Sequence, residues 1–234
     1  MPFDDINIKL RIIKMKMNLF KISLKNFASS KKKFFITGAN GQVGRGLIEL
    51  LSAKYSPENI IASDVNKTHS NPNVTFYELN VTKRKDYLEI VKENNITNII
   101  HLASLLSGNC YIYIKASSEK DLSLAMDVNI NGLHNSLEVA KAVNCSLFLP
   151  STIASFGPNL PKTPVPDDVH QDPTTFYGIS KVYMEKLGNY YHTKFNLDVR
   201  CLRLPNIISP YEYISGQTGI FATGIYYLNK RNFL

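Results

Sequence analysis

A short apolar run that stops on glycine and opens directly into a helical pattern constrains this chain more than any other feature. Lys33-Phe34-Phe35-Ile36-Thr37 reads as a strand buried on both faces. Gly38-Ala39-Asn40-Gly41-Gln42-Val43-Gly44 follows without a gap, and Val43, Leu47, Leu50 and Leu51 then recur at helical spacing up to Lys54. A buried strand turning this sharply into a helix is the opening of a βαβ unit, which places the next strand parallel to the first.

The alternation continues. Strands are predicted at 59–63 (ending at Asp64), 74–79, 98–103, 146–149 and 198–204, and helices at 84–94, 121–143 and 177–194. Strands alternating with helices predict a doubly wound parallel α/β sheet. The stretch from Pro158 to Pro173, rich in Pro and Asp, reads as a surface loop near the substrate end of such a sheet.

The glycine spacing G-x-x-G-x-x-G gains meaning from this context. Gly38 allows the tight turn, Gly41 lets the backbone approach a diphosphate, and Gly44 lets the helix pack closely on the sheet. The free N–H groups of the helix start then face the phosphates. Gly38, Asn40, Gly41, Gln42, Val43 and Gly44 are therefore expected at a dinucleotide. Asp64 ends the second strand, 20 residues beyond Gly44, where a carboxylate accepts the adenosine ribose hydroxyls. It would repel a 2′-phosphate, so NAD is the expected cofactor rather than NADP. The plainer reading of Asp64 is a turn cap.

Tyr177-Gly178-Ile179-Ser180-Lys181 sets a phenol and an ammonium four residues apart on one helical face. A tyrosine with a pKa of about 10 is a poor base, and a nearby cation lowers that value. The phenolate can then take a proton from a substrate hydroxyl. Lys181 is also expected to hold the nicotinamide ribose. Thr152, 25 residues before Tyr177, is expected to orient the reacting hydroxyl, with Ser151 a second substrate contact. Capping the strand end is the structural alternative for both.

Taken in order, these motifs resemble the extended short-chain dehydrogenase/reductase superfamily. Five runs resemble the short-chain type of L-threonine 3-dehydrogenase within it: HLASLLS at 101–107, DVNINGLHN at 127–135, PSTIASFGP at 150–158, TFYGISKV at 175–182 and CLRLPNIIS at 201–209. The resemblance implies oxidation of the β-hydroxyl of L-threonine to 2-amino-3-oxobutyrate with reduction of NAD⁺. It makes Tyr177 the base, Lys181 its tuner and Thr152 the orienting hydroxyl. It adds Asn80 and Val81 beside adenine, and Leu102, Ala103, Ser104, Leu204 and Ile207 along the cofactor. It places Ser107, Ser151 and Thr218 at the substrate. It also implies a homodimer through helices 121–143 and 177–194. Sugar-nucleotide epimerases and dehydratases share the glycines and the Tyr/Lys spacing and form the alternative enzyme class.

Three stretches depart from that pattern. Residues 108–120 are several residues longer, either a real loop or a gene-model artefact. Asn206 replaces the usual glycine, and Ile220 an acid. Residues 205–234 read as only the start of a substrate lobe, so a truncated, inactive NAD-binding paralogue is a further alternative.

The net charge of +8 does not signal nucleic acid. Nine Lys/Arg and no acid lie between Ile6 and Lys33, whereas 18 basic and 17 acidic residues follow from Phe34 onward. The excess belongs to a leader, residues 1–33, and not to the dinucleotide-binding domain at 34–204. Basic, acid-free and interleaved with apolar residues, it reads as a mitochondrial presequence or a disordered basic tail. No apolar run is long enough to span a bilayer. Cys110, Cys145 and Cys201 form no CxxC pair, so no disulfide framework or metal site is expected, and Cys145 and Cys201 should lie in or beside buried strands.

Overall fold

A computed structural model describes residues 32–67, 71–107, 118–159, 165–166, 168–205 and 207. The fold below belongs to the unit Lys33–Leu234. Its strands are β1 (Phe34–Thr37), β2 (Ile60–Asp64), β3 (Thr75–Glu78), β4 (Asn98–His101), β5 (Ser146–Thr152) and β6 (Val199–Leu204). Its helices are α1 (Gln42–Tyr55), α2 (Arg84–Glu93), α3 (Leu122–Ala125), α4 (Leu133–Val143) and α5 (Phe176–Phe195). All six strands run parallel in the order β3-β2-β1-β4-β5-β6. The doubly wound sheet expected from the sequence is the one observed.

β1 is buried along its whole length, as a central strand covered on both faces must be. Alternate residues divide between the faces. Phe34 packs on Tyr55 of α1, with ring centres 4.9 Å apart. Phe35, Ile61, Ile99, Leu147 and Leu149 belong to the core under α2, α4 and α5, together with Tyr87, Leu137, Met184 and Tyr191. The order reverses beside β1, whose neighbours β2 and β4 continue in opposite directions. That reversal opens a crevice at the carboxyl ends of β1 and β4, where open α/β sheets bind ligands.

Three elements differ from expectation. β4 ends at His101, two residues early: Leu102 N–H still donates to Thr37 O at 3.1 Å, but Ala103 N–H turns to the Thr37 hydroxyl at 3.4 Å. β5 runs on through Pro150 to Thr152. Its pairing with β4 covers only Ser146–Phe148, so the proline's missing N–H falls where that ladder has ended, and β6 pairs the remainder as far as Thr152↔Leu204. The predicted helix 121–143 is interrupted by π-helical turns at Met126–Gly132, the widened geometry often found at functional sites. Cys145 is buried as expected. Cys201 is exposed instead, because it lies on β6, the last strand of the sheet among the described residues.

Candidate active site

The glycine turn is fixed by backbone packing. Gly38 has φ +65°, and a Cβ there would lie 2.7 Å from Ala103 N. Gly44 is hemmed in by the carbonyls of Gly38 and Ala39, 2.7 and 2.6 Å from a built Cβ. Gly41 caps α1 with its N–H on Gly38 O, and no side-chain hydrogen bond caps that helix start among the described residues. Gln42 adds a buried Nε2 that has no partner among the described residues. Val43 is half-buried. Bare amides at a helix start, with a buried donor beside them, suit a diphosphate.

Asp64 ends β2 as expected and also holds the turn. Its Oδ2 accepts from Asn40 N–H at 2.9 Å and its Oδ1 from Val65 N–H at 2.8 Å. Burial raises its pKa above the usual carboxylate value, and the two amides oppose that. Each oxygen keeps a further acceptor site for a ribose hydroxyl. The Asn40 side chain donates to Asn66 O. Val81 is buried in the core, while the exposed Asn80 turns its amide oxygen to Thr82, accepting from N–H at 3.0 Å and from the hydroxyl at 2.9 Å.

A narrow crevice of about 10 Å³ runs from the loop after β4 to Lys181 on α5. His101, Ala103, Ser104, Asn129, Ser180 and Lys181 all line it. Gly38 packs on Ala103 at one side, and Lys181 carries the lining to α5 on the other. Leu102, Ser104 and Ser107 are half-buried on the loop after β4.

Lys181 is nearly fully buried. Its Nζ donates to Pro150 O at 3.0 Å and lies 5.5 Å from the Tyr177 ring centre. Burial pulls its pKa down to about 8, leaving an ammonium at neutral pH. His101, buried at the end of β4, is held to the Thr37 hydroxyl by Nδ1 at 3.0 Å. Burial first, and repulsion by Lys181 second, lower its pKa to about 3. The imidazole is therefore neutral, and Lys181 carries the crevice's positive charge.

Thr152 and Ser151 end β5 beside this pair. The Thr152 hydroxyl accepts from Ala154 N–H at 3.1 Å, the capping role, yet it retains a proton to donate. The buried Ser151 hydroxyl donates to Glu185, so its oxygen is left as an acceptor. Glu185 also receives Gln171 Nε2 at 3.1 Å and Arg203 Nη2 at 2.8 Å. Burial raises the Glu185 pKa, but the hydrogen bonds and charge of Arg203, with Ser151, outweigh it and set the net value low. Leu204 and Ile207 are half-buried at and beyond the end of β6. Thr218, Asn206, Ile220, Cys110 and residues 108–117 lie outside the described residues, as do 1–31.

Sequence reasoning missed four residues here. Asn129 sits in the π-helical turns and pins the cofactor-side loop: its Oδ1 accepts from Leu105 N–H at 2.7 Å and Ser104 Oγ at 3.1 Å, and its Nδ2 donates to Leu105 O at 2.9 Å. The signal was Asn129-Ile130-Asn131-Gly132, poor helix formers inside a helical run. Glu185, one turn past Lys181, and Arg203 carry no local signal that pairs them. Glu119 lies 58 residues from Tyr177, and no local pattern links the two.

The fold and site define a dinucleotide-binding α/β protein with a Tyr/Lys pair whose lysine is buried. The sequence profile of the NAD dependent epimerase/dehydratase family matches residues 34–231, and the chain belongs to that family. It is 40% identical over 206 residues to the mitochondrial L-threonine 3-dehydrogenase of Bos taurus, covering 87% of this chain and 53% of that protein. The X-ray structure of L-threonine dehydrogenase from Clostridium difficile superposes with TM-score 0.76 at 41% identity, covering 86% of this chain and 61% of that one. A Thermus thermophilus UDP-glucose 4-epimerase in complex with NAD shares the fold, with TM-score 0.70 at 22% identity over 82% of this chain and 60% of that one. The chain thus spans about half the length of the Bos taurus relative.

Proposed function

We propose that this chain binds NAD on the Gly38–Gly44 turn and serves the oxidation of the L-threonine β-hydroxyl to 2-amino-3-oxobutyrate. The single observation that carries the reading is the shared crevice: Lys181, beside Tyr177, lines the same space as Ser104 and Ala103, and Gly38 packs on Ala103. Gly38, Gly41, Gly44, Gln42 and Asp64 would hold the dinucleotide, and bound NAD⁺ supplies the hydride acceptor.

The chain's own part is proton chemistry and positioning. The Lys181 ammonium favours the Tyr177 phenolate, which takes the proton of the substrate hydroxyl. Thr152 donates to that oxygen and fixes its direction. Ser151, its own proton committed to Glu185, accepts from the substrate ammonium. Ser107 and Thr218 complete the substrate contacts.

Support for threonine over a nucleotide sugar comes from the relatives. The Bos taurus, Sus scrofa and Clostridium difficile relatives at 40–41% identity carry the threonine dehydrogenase name, those of Staphylococcus aureus at 37–38% carry only an uncharacterized epimerase/dehydratase name, and the UDP-glucose 4-epimerase shares only the fold. The leader and the mitochondrial name of the Bos taurus relative support a mitochondrial address. Ile179, Tyr183 and Tyr190, exposed along one face of α5, support a homodimer, which sedimentation of the chain would register as a doubled mass.

The test is NADH formation by the purified 234-residue chain. Absorbance rising with L-threonine and NAD⁺, and no conversion of UDP-glucose on analysis of the sugar nucleotide, is expected. Turnover of the UDP-sugar alone would replace this reading with the epimerase one. A melting shift with NAD⁺ but no turnover of either substrate would reduce the chain to a dinucleotide-binding protein.

A further inference from the structure

The first turn of α5 leaves three amides without helical partners, at Phe176, Tyr177 and Gly178. The Thr175 hydroxyl caps Gly178 at 3.0 Å. The other two are taken by a side chain 58 residues upstream of Tyr177. Glu119 Oε2 accepts from Phe176 N–H at 3.3 Å, and its Oε1 from Tyr177 N–H at 3.2 Å. A carboxylate at a helix start is favourable electrostatically as well as through its hydrogen bonds.

Glu119 is itself held in place. The buried Ser118 donates its hydroxyl to Glu119 Oε1 at 3.0 Å and its N–H to Leu106 O at 3.0 Å. The preceding residue, Leu105, is gripped by Asn129 on both its N–H and its carbonyl. Asn129 Nδ2 reaches Ser180 Oγ at 3.4 Å, and Ser180 Oγ donates to Tyr177 O at 2.7 Å. The bonds close into a ring that leaves Tyr177 at its N–H and returns at its carbonyl. Through Leu105 and Ser104 it passes along the cofactor side of the crevice.

We propose that Glu119 is a positioning residue for Tyr177, which sets the phenol against Lys181 by fixing the Tyr177 backbone to the cofactor-side loop. The inference rests on Tyr177 being the base.

Glu119→Ala and Glu119→Gln test it in the full chain. With Ala, kcat is expected to fall about tenfold, because loss of a fixed geometry acts on the reacting complex. NAD⁺ affinity should stay within twofold. Gln keeps an acceptor for the amides and should recover most of the rate. Independently of turnover, the Tyr177 phenol in ¹³C-labelled protein, assigned with Tyr177→Phe, should titrate higher in Glu119→Ala than in wild type, and not higher in Glu119→Gln. A lowered melting temperature with unchanged kcat and unchanged phenol titration would mark a mere helix cap and overturn the proposal. Wild-type turnover by Tyr177→Phe would instead remove the base assignment, while the phenol titration would still decide the role of Glu119.

Discussion

The Lys181 ammonium lies 5.5 Å from the centre of the Tyr177 ring, in a crevice that leaves it almost no exposure to water. The lysine makes one hydrogen bond to oxygen among the described residues, to Pro150 O. Its charge is therefore met by a backbone carbonyl and the Tyr177 ring, and by no acid in an ion pair among the described residues.

This arrangement makes stability depend on pH in a definite direction. Lys181 releases its proton near pH 8 when folded and near 10.5 when unfolded. Between those values the unfolded chain binds more protons, so stability rises with pH across the window. The rise is about 3 kcal/mol for a shift of this size. Urea unfolding at pH 7.5 and 10 should show it in wild type and not in Lys181→Met. A Lys181→Met variant with the wild-type slope would refute the burial argument.

Asp64 should make NAD⁺ binding pH-dependent. Its raised pKa means that acidification protonates it sooner than an ordinary aspartate, removing the acceptor for the ribose and loosening Asn40. Calorimetric affinity should fall as pH drops through the Asp64 titration. In Asp64→Asn it should be about tenfold weaker, a difference of roughly 1.4 kcal/mol, and flat over the same range. Equal affinities would place the ribose elsewhere.

Gly38→Ala should damage both fold and binding. The added methyl meets the backbone at Ala103 and Leu102, and φ is +65°. A cost of about 2 kcal/mol is expected, read as a lower unfolding midpoint in urea, together with weaker NAD⁺ binding. A variant with the wild-type midpoint would mean that the turn tolerates the side chain.

Glu185→Ala should destabilise by about 3 kcal/mol, because it removes the ion pair with Arg203 and the acceptor of the Ser151 hydroxyl. Folded Glu185 has a lowered pKa, so its contribution is full above the unfolded value near 4.5 and is lost as pH falls through the folded one. Wild type and Glu185→Ala should therefore converge in stability at low pH. A constant gap down to pH 3 would contradict the ion-pair account.

What could be read from the chain alone follows a physical division. Periodicity and glycine spacing are local signals, and they located β1, the turn, Asp64 at the end of β2 and the Tyr177/Lys181 face. Partnerships between distant segments were invisible. Glu185 became part of the site only when β6 brought Arg203 beside it, and Asn129 only when π-helical turns aimed its amide at Leu105. The strand predicted at 146–149 extends to Thr152 because one neighbouring ladder ends before Pro150, which a single sequence does not reveal. Cys201 looked buried because its strand was not known to lie at the end of the sheet.

The most direct test of the central claim compares Tyr177→Phe with wild type in threonine-dependent NADH formation, with NAD⁺ affinity measured alongside. Loss of the phenol oxygen alone should lower the rate at least about a hundredfold and leave NAD⁺ affinity within twofold. A variant that keeps the wild-type rate would show that some other group takes the proton.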